Sequence, residues 1–305
     1  MSNLALYMIT VLVWGSTWFA IEFQFGTVAP EISIVYRYAA AALLLFAWSR
    51  LRGLNLVFGW RAHGWFLLLG LFLFGINYVL AYRAQIYITS ALTAIAFSTI
   101  VWMNILSARI FFGIRIQARV IAGSLLGVAG IVTLFAPRIG ELSSDDTIFY
   151  GSMLAVAGAL VASMGNMVSQ AAQKNALPII QSNAWGMLYG AISTAIFAGV
   201  RGHEFVFDWS TGYTISLAYL TVFGSIVAFG AYLTLLGRIG AHRAGYAMVM
   251  FPVVALIMSV LFEGLKPDSS IILGTVLVLV GNLFVLWTKP PRRDRQTGQS
   301  LQEAA

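Results

Sequence analysis

The sequence predicts an all-α membrane protein: ten transmembrane helices, arranged as two inverted five-helix repeats around a central cavity. Composition, a duplicated series of hydrophobic runs and the placement of basic residues predict it. Hydrophobic residues make up 60% of the 305 residues and charged residues only 10%, against about 25% charged in soluble domains. Apolar surface on that scale needs lipid rather than a water-soluble core. The runs are long and do not alternate, which selects helices over barrel strands, because each helix satisfies its own backbone in hydrocarbon.

Ten runs follow in order, at 4–22, 32–49, 64–85, 89–112, 118–136, 149–171, 181–199, 213–236, 244–263 and 270–288. Most approach the ~20 residues a spanning helix requires. The first, Leu4 to Ile21, reads as a transmembrane helix rather than a cleaved leader. Met1-Ser2-Asn3 before it carries no basic side chain, and Trp14 and Trp18 occupy what would be an aliphatic leader core. The longest charged break runs from Pro137 to Thr147. It divides the chain into a first repeat (1–137), a linker (138–147), a second repeat (148–288) and a cytoplasmic tail (289–305).

Duplication shows in matched positions. Gly123 and Gly130 in the fifth run reappear as Gly274 and Gly281 in the tenth, 151 positions later. Gly15 and Gly165 are 150 apart, while Gly70 and Gly224, and Tyr78 and Tyr232, are 154 apart. Five spans per copy is an odd number, so the second copy enters the membrane upside down. Inverted repeats are a transporter device, since two such halves can rock about a shared midplane site.

Charge sets the expected orientation. With both termini inside, the cytoplasmic face receives Arg50, Arg52, Arg61, Arg109, Arg115, Arg119, Lys174, Arg238, Arg243, Lys289, Arg292, Arg293 and Arg295. Only Arg37, Arg83, Arg138, Arg201 and Lys266 fall outside, as the positive-inside rule requires. The net charge of +7 is therefore a topology signal, and no nucleic-acid partner is expected. A cysteine count of zero removes disulfides and thiolate metal sites.

Enzyme motifs are missing from the sequence. There is no Gly-Lys pair for a nucleotide loop and no His-Glu-x-x-His, and His63, His203 and His242 all lie in predicted loops. No catalytic residue, metal or cofactor is assigned. The spans instead offer aromatic and amide groups. Trp14 and Trp18 share a face of the first helix, Tyr78 and Tyr82 one of the third with Asn77 beside them and Gln85 a turn on. Ser98 and Trp102 pair on the fourth, Ser163, Asn166 and Gln170 form a stripe on the sixth, and Tyr246 opens the ninth. Trp48, Trp60, Trp65 and Trp287 read as interfacial belt residues. Trp14, Tyr78 and Trp102 lie deeper, and for them a lined cavity and plain helix packing both stand. Glu22 and Arg37 read either as a gate ion pair or as interfacial charges near helix ends. Pro252 falls inside the ninth span, where a kink is expected.

Trp14-Gly15-Ser16, Arg37, Thr89-Ser90-Ala91, Phe251-Pro252-Val253 and Glu263-Gly264 together resemble the ten-helix EamA-type members of the drug/metabolite transporter superfamily, over residues 4–288. The first repeat departs from that pattern, with Ser98-Thr99 where a proline is usual and no acid near Gly113-Ile114. In detail the chain is similar to YddG-like exporters of aromatic amino acids. The resemblance implies a basket of helices around a cavity, built mainly by the first four helices of each half, in a bacterial inner membrane.

The expected function is export of aromatic amino acids and related small metabolites by alternating access. Trp18, Tyr78, Tyr82, Trp102 and Tyr246 would contact the ring, and Asn77, Asn166 and Gln170 the polar ends. Glu22, Arg37 and Pro252 are gating or hinge candidates. Expected partners are a small-molecule substrate and membrane lipid, with the chain a monomer or weak homodimer. Transport of other metabolites, drugs, sugars or nucleotide-sugars is the alternative, and a membrane receptor or scaffold without transport a further one.

Overall fold

The computed structural model describes residues 1–113, 118–139, 147–244 and 246–286. Residues 140–146 of the expected linker and all of the expected tail lie outside the described residues. The described chain forms ten helical rods. They are α1 (Asn3–Glu22), α2 (Pro30–Leu51), α3 (Trp60–Tyr87), α4 (Ser90–Phe112), α5 (Ala118–Ile139), α6 (Thr147–Lys174), α7 (Ile179–Val200) and α8 (Thr211–Ile239). After these, α9 is assembled from Ala241–Ala244, Tyr246–Val249 and Phe251–Phe262, and α10 is Ser269–Leu286. Six rods (α1, α2, α3, α4, α6 and α8) are long and apolar enough to cross a membrane unaided.

Local chemistry starts and stops the rods where expected. The hydroxyls of Ser2, Thr89 and Ser210 accept from the amides of Ala5 (3.2 Å), Leu92 (3.4 Å) and Tyr213 (3.4 Å), capping α1, α4 and α8. Pro30 opens α2, where a missing N–H costs nothing. Gly113 leaves α4 with φ +68°, a left-handed C-cap that a side chain would strain.

The rods are irregular in matched places. A π-helical segment interrupts α3 at Gly70–Ile76 and α8 at Leu220–Val227, starting 150 residues apart. Breaks fall in α4 at Ser98-Thr99 and in α9 at Met250. Ser98 and Thr99 turn their hydroxyls back onto the carbonyls of Ile95 (2.7 Å) and Ala96 (2.8 Å), competing with the helix ladder where the family pattern has a proline. Pro252 sits in the first turn of the last α9 piece. The rod thus stops and restarts ahead of Pro252 rather than bending through it.

The expected repeat has a direct structural signature where α5 meets α10. A Cβ added at Gly130 would lie 2.7 Å from the carbonyl oxygen of Gly274 and 2.7 Å from the amide of Val278. One added at Gly281 would lie 2.5 Å from the Gly123 carbonyl and 2.7 Å from the Gly127 amide. Shifting Gly130 up by 151 and Gly274 and Val278 down by 151 turns one contact into the other, as a two-fold axis between the halves demands. Small residues let these backbones touch, and dispersion then holds the rods without a hydrophobic driving force in lipid.

Gly130→Leu and Gly281→Leu should each wedge α5 and α10 apart, at a cost of about 1–3 kcal/mol or more. Thermal unfolding of detergent-solubilised protein measures this, with Gly199→Ala, which meets nothing within 4 Å, as the neutral control. Equal melting temperatures for all three would refute the backbone contact.

Candidate functional site

Six rods surround a central cavity, and they come in symmetric pairs: α1 with α6, α3 with α8, α4 with α9. From α1 come Trp14, Thr17, Trp18 and Ile21, and from α3 Leu73, Asn77, Tyr78 and Ala81. Phe97 and Ile100 flank the break in α4, while Met248 and Phe251 flank the break in α9. Ala162 and Asn166 of α6 and Phe229 and Tyr232 of α8 complete the wall. Leu73 of the α3 π segment and the residues flanking the breaks of α4 and α9 thus border the cavity, where non-helical backbone in a membrane is tolerated; the α8 π segment ends just before the wall residue Phe229. Four helices of each half are expected to build the cavity; α2 and α7 contribute no wall residue, and neither do α5 and α10.

The wall is aromatic. The Trp14 ring lies 4.7 Å from Phe229, 5.1 Å from Tyr232 and 5.7 Å from Phe251, and its Nε1 donates to the Gly224 carbonyl at 3.0 Å. Trp18 meets Phe97 at 5.3 Å. Polar atoms are few and underused. Asn166 is fully buried, and its Nδ2 donates to Asn104 Oδ1 at 3.1 Å. Asn77 Oδ1, Asn166 Oδ1, Asn104 Nδ2 and Tyr232 Oη close no hydrogen bond of normal geometry. The Tyr232 hydroxyl faces both Asn104 and Asn166. A buried polar group left without a full bond costs about 1–3 kcal/mol, and Asn77, Asn166 and Tyr232 carry theirs on the cavity wall.

Hydrogen bonds between rods cross on both sides of the cavity. At the end where α1 stops, Gln85 Nε2 of α3 donates to the Trp18 carbonyl (3.0 Å) and to Glu22 Oε1 (2.8 Å) of α1. Nearby, Glu263 accepts from Ser90 and from Ser259 (2.6 Å). Toward the other end, Ser163 donates to Ser107 at 3.0 Å, and Gln170 Oε1 accepts the Ala241 amide at 3.3 Å. The cavity between measures about 50 Å³. That is far below the ~300 Å³ of a typical ligand pocket. Holding anything larger requires the rods to separate.

Trp18, Asn77, Tyr78 and Asn166 line this cavity, and Tyr82, Trp102 and Gln170 lie outside its wall. Tyr82 is fully buried and its hydroxyl accepts from Arg37 at 3.3 Å. Trp102 faces Gly127 of α5, its Nε1 3.5 Å from where a Cβ would stand. Gln170 caps the start of α9. Tyr246 begins a short α9 piece, and its side chain lies outside the described residues.

Glu22 and Arg37 form no ion pair among the described residues. Glu22 is held by Gln85, and Arg37 is 1% exposed, so it is not an interfacial charge. Sequence reasoning missed Phe97, Phe229, Tyr232 and Phe251 as wall residues. Tyr232 carried a signal as the repeat partner of Tyr78, and Phe251 as the neighbour of Pro252; Phe97 carried none.

The comparisons agree with this architecture. The EamA-like transporter family matches the chain twice, at residues 1–136 and 149–287. Escherichia coli strain K12 has a relative named as an uncharacterized inner membrane transporter, YedA, 27% identical over 88% of this chain and 86% of that one. The transporter YoaV of Bacillus subtilis strain 168, likewise named uncharacterized, is 22% identical over 92% of this chain and 96% of its own length. A second Escherichia coli strain K12 protein, named a probable amino-acid metabolite efflux pump, is 23% identical over 93% of this chain and 96% of its own length. A solved crystal structure shares the fold, with a TM-score of 0.69 at 18% identity, covering 92% of this chain and 95% of that chain. Matched in both of its halves, the chain belongs to the EamA-like transporter family.

Proposed function

We propose that this transporter exports aromatic amino acids and related small metabolites across a bacterial inner membrane by alternating access, with both termini cytoplasmic. One observation carries the reading: a central, aromatic-walled cavity bearing unpaired amide and phenol groups, enclosed by rods that are all broken or bulged or belong to the symmetry pair α1 and α6. An aromatic ring between Trp14, Trp18 and Phe251 would gain apolar burial and edge-to-face contact. Asn77, Asn166 and Tyr232 would satisfy its polar end, exchanging idle groups for bonded ones. The kinship with a protein named as an amino-acid metabolite efflux pump supports the same substrate class. The discontinuities in α4 and α9 supply places where one half can flex against the other. Tyr82, Trp102 and Gln170, outside the wall here, and Tyr246 are candidates for contact once the halves part, with Glu22 and Pro252 acting in gating.

Proteoliposomes loaded with an amino-acid panel, assayed with and without a pH gradient, test the reading. Saturable counterflow of phenylalanine or tryptophan is expected; no counterflow of any amino acid would end it. Trp18→Ala and Asn166→Leu should raise KM about tenfold or more, the loss of one ring or amide contact. Trp209→Ala, at a side chain 85% exposed, should leave KM unchanged. If all three variants transport like the parent, the cavity is not the binding site. Reporter fusions should place the N- and C-termini on the cytoplasmic side.

A further inference from the structure

Arg37 is a buried cation whose charge no acid meets among the described residues. It stands seven residues into α2, ~10 Å from its start at 1.5 Å per residue, and is 1% exposed. A guanidinium cannot shed its proton to escape burial, so its charge must be met where it lies. The ion pairs among the described residues both belong to Glu31, with Arg83 and His203, and none reaches Arg37. What surrounds it is neutral. Its Nε donates to Ser225 Oγ at 2.8 Å and its Nη1 to Tyr82 Oη at 3.3 Å. Its Cζ lies 4.7 Å from the centre of the Tyr78 ring and 5.2 Å from that of Tyr38.

The hydrogen-bond count around it is one-sided. Arg37 Nη2 has no acceptor, and the fully buried Tyr38 Oη closes no bond either. The Ser225 hydroxyl that receives Arg37 sends its own proton to the Leu220 carbonyl, within the π-helical stretch of α8. Donors are in surplus and a charged acceptor is lacking. An intramembrane charge in that condition marks a site by default, and a planar donor fork matches a carboxylate in two-pronged fashion.

The fork lies against residues of the cavity wall. Tyr78, a wall residue, packs its ring on the guanidinium, and Thr17, another, meets Arg37 at Gly224. Gly224 keeps the gap open on the α8 side: a Cβ there would lie 3.1 Å from Arg37 Nη2 and 3.0 Å from Thr17 Cγ2. We propose that Arg37 is the anion subsite of the transport cavity, so that substrates must carry a carboxylate, which replaces the Tyr78 ring against the guanidinium while the apolar body stays among the wall aromatics. The proposal rests on the transport reading above and adds the charge requirement. A wall with a single fixed positive charge behind it also rejects amines that lack an acid group.

Four ligands matched in ring and chain test it on purified protein, by equilibrium binding: phenylalanine, phenylalaninamide, 3-phenylpropionate and 2-phenylethylamine. The carboxylates should bind about 30-fold or more tighter than the amide and the amine, the scale of a buried charge pair. Arg37→Gln should bring that ratio close to one while eluting as a monodisperse peak, and Arg37→Lys should restore part of it. The wild-type ratio stands as evidence by itself should Arg37→Gln fail to fold. Phenylalanine and phenylalaninamide binding alike would overturn the anion subsite and leave amino-acid export intact. Binding of 3-phenylpropionate without phenylalanine would support the subsite and remove the amino-acid reading. An unchanged ratio in Arg37→Gln, or no binding by any carboxylate, overturns the proposal.

Discussion

Backbone polarity in an apolar medium is the constraint from which this structure follows. A peptide group in hydrocarbon has no water to turn to, so every departure from the helix must be repaired by the protein or face a cavity. The described chain departs in four places, the π segments of α3 and α8 and the breaks of α4 and α9. Three of them supply or flank residues of one cavity wall, and the fourth ends just before the wall residue Phe229. The repairs are visible: Trp14 takes the Gly224 carbonyl, Ser225 takes that of Leu220, and Ser98 and Thr99 take those of Ile95 and Ala96. The cavity is thus a consequence of where the helices are allowed to fail. Its location in the fold is inseparable from the duplication that places those failures in pairs.

The rods that do not fail have a different task. α5 and α10 touch glycine to backbone along a shared seam, at positions interchanged by the repeat. The interrupted α3 packs on α7 by the same chemistry at the start of its π segment, since a Cβ at Gly70 would lie 2.6 Å from the Gly186 carbonyl and 2.8 Å from the Gly190 amide. These contacts depend on fit over small residues, tolerate no added methyl and need no polar group. A bundle held in this way can keep its periphery intact while bonds near the cavity, each of modest net worth, are exchanged.

Much of this could be read in the sequence because its signals are periodic. Hydrophobic run length locates ten rods, and the glycine pairs Gly123/Gly130 and Gly274/Gly281 announce the duplication before any geometry is known. Trp18, Asn77, Tyr78 and Asn166 stand on the cavity wall because depth in a span plus a polar or aromatic tip is a physical reason to face inward. Where two faces of one helix are both buried, that reasoning stops. Tyr82 is four residues from Tyr78 yet turns to Arg37, and Gln170 continues the Asn166 stripe yet caps α9. Trp102 faces α5, a packing partner that no local pattern names. Arg37 seven residues into a helix reads as near the surface, since helix ends in sequence say nothing of what folds over them.

The closed cavity and the buried arginine explain each other. A permanent charge so far from water would be costly to hold if the surrounding groups were rigidly neutral. Tyr78 and Tyr38 offer their negative ring faces to it, and Tyr82 and Ser225 their lone pairs. That is compensation by groups that are weaker acceptors than a carboxylate. It suffices while the space beside it is about 50 Å³ and Gln85 ties α3 to Trp18 and Glu22 of α1. An anion entering as the rods part offers Arg37 a better partner than Tyr78, and the freed ring then covers the guest. The same exchange run backwards expels it. A carrier needs a site that is satisfied when empty and better satisfied when full, by a margin small enough to reverse, and tyrosines standing in for an anion provide that margin.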